Sequence, residues 1–567
     1  MVTGLPSSPD AFRDGAWERI APLYEELAAR PLDDVRSWLR DWSELDGLVD
    51  EASELAGIAY TTDTNDAEKE RLHLIWSGEL APRLHEQRVR LARRLVESGY
   101  DEPGMEVPIR RLRNQIALYR EENLPLQADL ARLSSRYQKV TGQMHVEWDG
   151  ERLTVPQVQA KLGEADRGLR ERAYRLHLRP YVEARDELGT IFDEMVDLRQ
   201  RVARNAGFAN YRDFAHQEKD RFDYSPDDCL RWHDAVQEVV VPAATRALER
   251  RRLRMGLDRL RPWDVEGSPD PLGRPALRPF RDAGELVETA GRVFEHVDPA
   301  LGDRFRTMAG EGLLDLESRH GKAPGGYCVP LFHRGRPFIF MNATGTQRDV
   351  DTLLHESGHS FHVFECAADQ PLLWQQQYGA EIAEVASMSM ELLCAPHLAA
   401  SEGGFYASEE DAARARAENL ERILLFFGHC ASVDAFQHWI YTDPGGTDRA
   451  ARDRRWLELR ARFEPGIDHS GLESERVARW HRQLHLFEVP FYYIEYGLAQ
   501  LGALQVWRES RRDRPATLAA YRRALALGGT RPLPELYGAA GARLLFDAAG
   551  MRELIDLVES ELDALAG

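Results

Sequence analysis

From Ala11 to about Leu260 the apolar residues of this chain recur every three or four positions between charged ones, as in the Leu80–Leu95 stretch LAPRLHEQRVRLARRL. That period describes amphipathic helices and cannot also supply the alternation of a half-buried strand. Strand signals are few. Met144–Val155 alternates around an Asp149-Gly150 turn, and Pro337–Met341 is a short apolar run. The expected class is therefore mainly α with a small β-sheet. Proline, glycine and aspartate between Trp263 and Arg278 break every helical pattern, which predicts an irregular connection there. No internal repeat is present, and 567 residues are enough for about four cores.

Composition excludes several function classes. The formal net charge is −21, so the overall field repels phosphate backbones and anionic lipid, and neither nucleic acid nor a membrane surface is an expected partner. Five widely spaced cysteines (Cys229, Cys328, Cys366, Cys394, Cys430), without a Cys-x-x-Cys pair, suggest neither a disulfide framework nor a thiolate zinc site. Met1–Asp14 lacks a basic segment followed by an apolar run, and Phe487–Trp507, the nearest approach to a membrane span, contains Glu488 and Glu495. The expectation is a cytoplasmic protein.

The segment that carries chemistry is Thr346–Phe364, with His355-Glu356-Ser357-Gly358-His359 at its centre. Thr346 and Asp349 have the spacing of a capping box, which starts a helix where the motif needs one. On that helix Val350, Leu353, Leu354, Phe361 and Phe364 fall within an arc of roughly 100°, and His355, His359 and His362 fall opposite. Histidines at i and i+4 can present imidazole nitrogens to one cation, and a glutamate beside the first can reach a water on it. A catalytic site of this kind needs a third protein ligand. A histidine ten positions after the first is missing, because Glu365 stands there. The next candidates, Glu381, Glu384 and Glu391, share a probable helix within Tyr378–Leu393, and spacing does not choose among them. Further on, His485, Tyr492, Tyr493 and Tyr496 lie within twelve residues. They can donate to a developing oxyanion or simply pack together.

Three blocks in order, Asp351–His362 (DTLLHESGHSFH), Glu384–Glu391 (EVASMSME) and Pro490–Tyr496 (PFYYIEY), resemble the thimet oligopeptidase and oligoendopeptidase F family of zinc metallopeptidases, and most closely its oligoendopeptidase F and Pz-peptidase branch. The resemblance covers roughly Gly321 to Gly502. It implies one zinc ion held by His355, His359 and Glu384, with Glu356 as general base and Glu391 supporting a ligand imidazole. It also makes His485, Tyr493 and Tyr496 donors to the oxyanion, with Tyr492 competing for the place of Tyr493. Gly325–Cys328 and Pro337–Asn342 are similar to a loop and edge strand that take substrate backbone by strand addition. The activity implied is hydrolysis of internal bonds in short unfolded peptides, inside a two-lobed helical shell with a deep central channel. The domains implied are an N-terminal helical one, 1–173, and a catalytic one, 174–567, with the boundary near Tyr174. The alternatives are a zinc carboxypeptidase on a similar scaffold and a non-catalytic peptide binder with structural zinc. Oligomeric state is left open.

Overall fold

The computed structural model describes residues 2–319, 321–323 and 325–566. The fold is mainly α, with two small sheets. The first sheet is the expected hairpin: β1 (His145–Trp148) pairs antiparallel with β2 (Glu151–Thr154). Asp149 and Gly150 turn it with φ of 52° and 86°, the double positive φ that a tight two-residue hairpin requires. The second sheet joins β3 (Leu314–Glu317), β4 (Tyr327–Leu331) and β5 (Arg336–Ala343) in the order β3-β5-β4, with β3 parallel and β4 antiparallel to β5. This corrects the edge-strand expectation. Pro337–Asn342 lies in the central strand, its backbone already paired on both sides, and the edge on that side is β4, which holds Cys328.

The chain divides into two compact units, and neither is continuous in sequence. One comprises the chain up to Tyr119, Arg278–Ala412 and Ala499–Leu544; the other comprises Arg120–Leu277, Ala413–Leu498 and the chain from Leu545. Tyr174, the expected boundary, is a fully buried residue inside the helix Arg167–Glu183, in an aromatic contact with Trp263. An amphipathic helix closing a core is not a place where packing can be interrupted.

In the first unit, Trp38, Trp42, Leu45, Leu48, Leu91 and Leu95 gather with Leu372 and Trp374 into one apolar cluster. Each such side chain contributes about 1.5–3 kcal/mol by leaving water. The helix Val35–Thr62 in this cluster is tied to the three-stranded sheet, with Thr61 Oγ1 2.6 Å from Tyr327 Oη and Glu51 accepting from the backbone and side chain of Arg334. The N-terminal helices therefore belong with the sheet and the helix that follows it. In the second unit the irregular connection after Pro262 is held by the buried Asp264, which accepts from Arg167 and Arg170.

The second unit also buries His177, His216 and His481. Burial, reinforced by nearby arginines, lowers them to about 4, about 2 and about 3 from an ordinary value of 6.5. They are neutral in the fold and take up protons on unfolding. Stability should therefore fall as pH drops from about 6.5 towards 4, each group contributing up to about 1.4 kcal/mol per pH unit. Melting temperature measured between pH 7 and 5 should decline steadily, and His177→Gln should make the slope shallower. A flat profile would show that these histidines are not neutral in the fold.

Candidate metal centre

The motif helix, Gln347–Asp369, begins at the capping box read from the sequence. Thr346 Oγ1 accepts from the Asp349 N–H at 3.3 Å, and Asp349 accepts from the Thr346 N–H at 2.8 Å. The helix is buried on nearly every side, Ser357, Gly358 and Ser360 included, rather than on one stripe. Its third histidine does not join the other two: His362 is fully buried and stacks on Tyr378 at 3.5 Å between ring centroids.

The partner helix, Ala380–Cys394, crosses the motif helix at Gly358, where a Cβ would stand 2.5 Å from Ser387 Cα and 2.6 Å from the Ala386 carbonyl oxygen. Only glycine permits that approach. Tyr521 Oη donates to the same Ala386 carbonyl and ties the partner helix to the Arg514–Ala526 helix. The crossing brings one of the three glutamates beside both imidazoles. Glu384 Oε2 lies 3.2 Å from His355 Nε2 and 3.6 Å from His359 Nε2, and the donor atoms of these three residues all lie within 4.8 Å of one another. A tetrahedral ion with ligand bonds of about 2.0–2.1 Å sets its donors roughly 3.4 Å apart, so two imidazole nitrogens and a carboxylate at these spacings suit one divalent cation. Glu391 Oε1 accepts from His355 Nδ1 at 2.8 Å, which turns Nε2 towards Glu384 and His359.

The electrostatics separate two glutamates on facing helices. Burial alone would raise Glu384, but its electrostatic interaction with the imidazoles of His359 and His355 and the hydrogen bonds from His355 and Ser387 outweigh it and hold Glu384 down at about 2. Burial raises Glu356 to about 7, opposed by His355 and assisted by Glu384 and Glu391. His359 is lowered to about 4 by burial, so its lone pair is available near neutrality, whereas His355 is raised by the two carboxylates that flank it. A cation between these groups would displace the proton that His355 shares with Glu384.

The other expected residues lie in the second unit and form their own cluster. His485 sits on the short helix Leu484–Glu488, while Tyr493 and Tyr496 begin the helix Tyr493–Ser510; the chain breaks between them at Phe491, whose φ is 63°. Two buried arginines hold this segment. Arg199 donates to the carbonyls of Leu486 and Phe487, and Arg221 donates to the Phe491 carbonyl and to Glu495. The His485 ring is 4.9 Å from that of Tyr493 and 6.0 Å from that of Tyr496. Tyr493 is buried, whereas Tyr492 and Tyr496 are half-buried. Reading by motif missed Gln483, which lies within hydrogen-bonding distance of both His485 Nδ1 and Tyr493 Oη. A lone glutamine upstream of an aromatic run gives no signal in a sequence. His216, Cys229 and His438 of this unit also cluster, but Arg221 donates to His216 Nε2 at 3.2 Å, and a guanidinium beside a ligand nitrogen opposes a cation.

The pattern of Peptidase family M3 matches residues 162–555, and that of the Peptidase M3 N-terminal domain matches residues 14–104. The chain belongs to Peptidase family M3. It is similar to the solved structure of Pz peptidase A with an inhibitor, at 27% identity and a TM-score of 0.89, with 97% of each chain covered. An oligoendopeptidase F homolog of Borreliella burgdorferi is 24% identical over 274 residues, 45% of this chain and 42% of its own length. One of Mycoplasma pneumoniae is 24% identical over 414 residues, 67% of this chain and 62% of its own length. The chain thus spans less than two thirds of the length of these curated relatives.

The geometry leaves no room for a side chain at position 358 between the two helices. Gly358→Ala should push the two helices apart, destabilise the protein by about 1–3 kcal/mol and weaken divalent-metal binding. Thermal melts with and without added metal, together with calorimetric titration, would check both effects. Unchanged affinity would mean that the helices need not meet this closely.

Proposed function

We propose that the protein is a zinc-dependent endopeptidase that hydrolyses internal bonds of short unfolded oligopeptides. The observation that carries this reading is the Glu356 carboxyl, raised to about 7 and adjacent in sequence to His355, whose Nε2 converges with that of His359 and with Glu384. A purely structural metal site has no use for such a carboxylate. His355, His359 and Glu384 would hold one ion. Zinc, when bound, supplies a Lewis acid that acidifies water and polarises the scissile carbonyl.

Glu356 accepts the proton of the attacking water on its carboxylate and returns it to the leaving amine. Burial raises this carboxyl above its ordinary value, which favours its taking up a proton. Glu391 holds the His355 ring by its Nδ1 proton. His485, Tyr493 and Tyr496 are the proposed donors to the oxyanion, each contributing a few kcal/mol to the transition state. The proposed location is cytoplasmic; among the described residues no helix is long and apolar enough to cross a membrane, and the five cysteines are free thiols.

The test is mass spectrometry of a mixed-length peptide library incubated with the protein and with Glu356→Gln at matched zinc content. The parent should cut short peptides internally and spare folded proteins. Glu356→Gln should keep its zinc and lose about 10²–10⁴-fold in kcat. Removal of zinc by a chelator should abolish cleavage, and added zinc should restore it. Stepwise loss of C-terminal residues would replace the reading with a carboxypeptidase. Absence of any cleavage by the zinc-loaded parent would overturn it.

A further inference from the structure

The hydrogen bonds behind His485 run in one direction. Arg460 Nη1 lies 2.8 Å from His429 Nδ1, and a guanidinium has donors only, so this nitrogen of His429 accepts. Burial, with the charge of Arg460 beside it, holds His429 well below the ordinary histidine value. The ring is therefore neutral, with its one proton on Nε2. Gln483 acts on His429 as a partner that favours its proton, and with Nδ1 already accepting from Arg460 that proton is on Nε2, so the group Gln483 turns to it is the amide oxygen. This choice turns the amide nitrogen the other way. Gln483 Nε2 lies 3.1 Å from His485 Nδ1 and within hydrogen-bonding distance of Tyr493 Oη, and its two protons serve the two acceptors.

We propose that Arg460, His429 and Gln483 form a hydrogen-bond chain of fixed polarity that locks His485 in its Nε2–H tautomer, making it a neutral donor. A neutral imidazole whose Nδ1 accepts a hydrogen bond carries its proton on Nε2. The same chain leaves the Tyr493 hydroxyl proton for an acceptor other than Gln483. Arg460 itself is anchored by Glu464 and lies over the Trp456 ring. His429 and Gln483 are positioning residues in this scheme, which rests on the reading of His485 as a donor in peptide hydrolysis.

Two measurements test it. Ring ¹⁵N spectra of histidine-labelled protein at pH 8, with His485 assigned by difference from His485→Gln, should show Nε2 protonated and Nδ1 bare. In Gln483→Glu, whose carboxylate can only accept, Nδ1 should become protonated. A protonated Nδ1 in the parent, or an unchanged spectrum in the variant, would overturn the proposal. In the kinetic arm, Gln483→Met leaves both tautomers open. It should lower kcat about tenfold, with KM within about twofold and the thermal transition still cooperative. An unchanged kcat would remove the chain from catalysis. If the parent cleaves no peptide, the enzymatic reading falls, and the spectra still decide the tautomer.

Discussion

The candidate metal centre depends on a backbone contact. Where the motif helix crosses its partner at Gly358 no side chain intervenes, and the separation left there sets how far the Glu384 carboxylate is from the two imidazoles. One added methyl group would have to displace peptide backbone rather than a flexible side-chain end. A close-packed interior resists such a change, so the capping of one helix, the buttress from Tyr521 and the glycine between them act together on a single distance.

That contact also produces the electrostatic division on which the proposed chemistry relies. Glu384 and Glu356 are the same residue type, and both are buried, yet one is held at about 2 and the other is raised to about 7. The difference lies in partners. Glu384 lies beside both imidazoles and receives hydrogen bonds from His355 and Ser387, whereas for Glu356 burial prevails over the single favourable charge of His355. Carboxylates placed a helix apart thus reach opposite protonation behaviour, one suited to holding a cation and one to carrying a proton.

Much of this was legible in the sequence, and what was not shares a cause. The helix start at Thr346, the pairing of His355 with His359, the hairpin at Asp149-Gly150 and the irregular stretch after Pro262 are all recorded within a few residues, because caps, turns and helical phase are short-range properties. Helical phase groups His362 with His355 and His359, yet it packs on Tyr378 instead, since its helix is buried on nearly every side and amphipathic phase says nothing about a second neighbour. Resemblance placed Pro337–Asn342 at a sheet edge, but the strand Arg336–Ala343 is paired on both sides, by Leu314–Glu317 and Tyr327–Leu331, an arrangement that its own residues do not record.

By itself the sequence determined the mainly helical class, the two histidines one turn apart, the adjacent glutamate and, through three motif blocks, the family. The tertiary structure decided which glutamate carboxylate reaches both imidazoles, which buried groups keep or lose a proton, and which way the hydrogen bonds run from Arg460 to His485. The physical reason is range. Backbone period and capping are set by neighbours in the chain, whereas convergence, burial and hydrogen-bond polarity depend on residues such as His355 and Glu391, or Arg460 and His429, that are tens of positions apart and meet only once the core has closed.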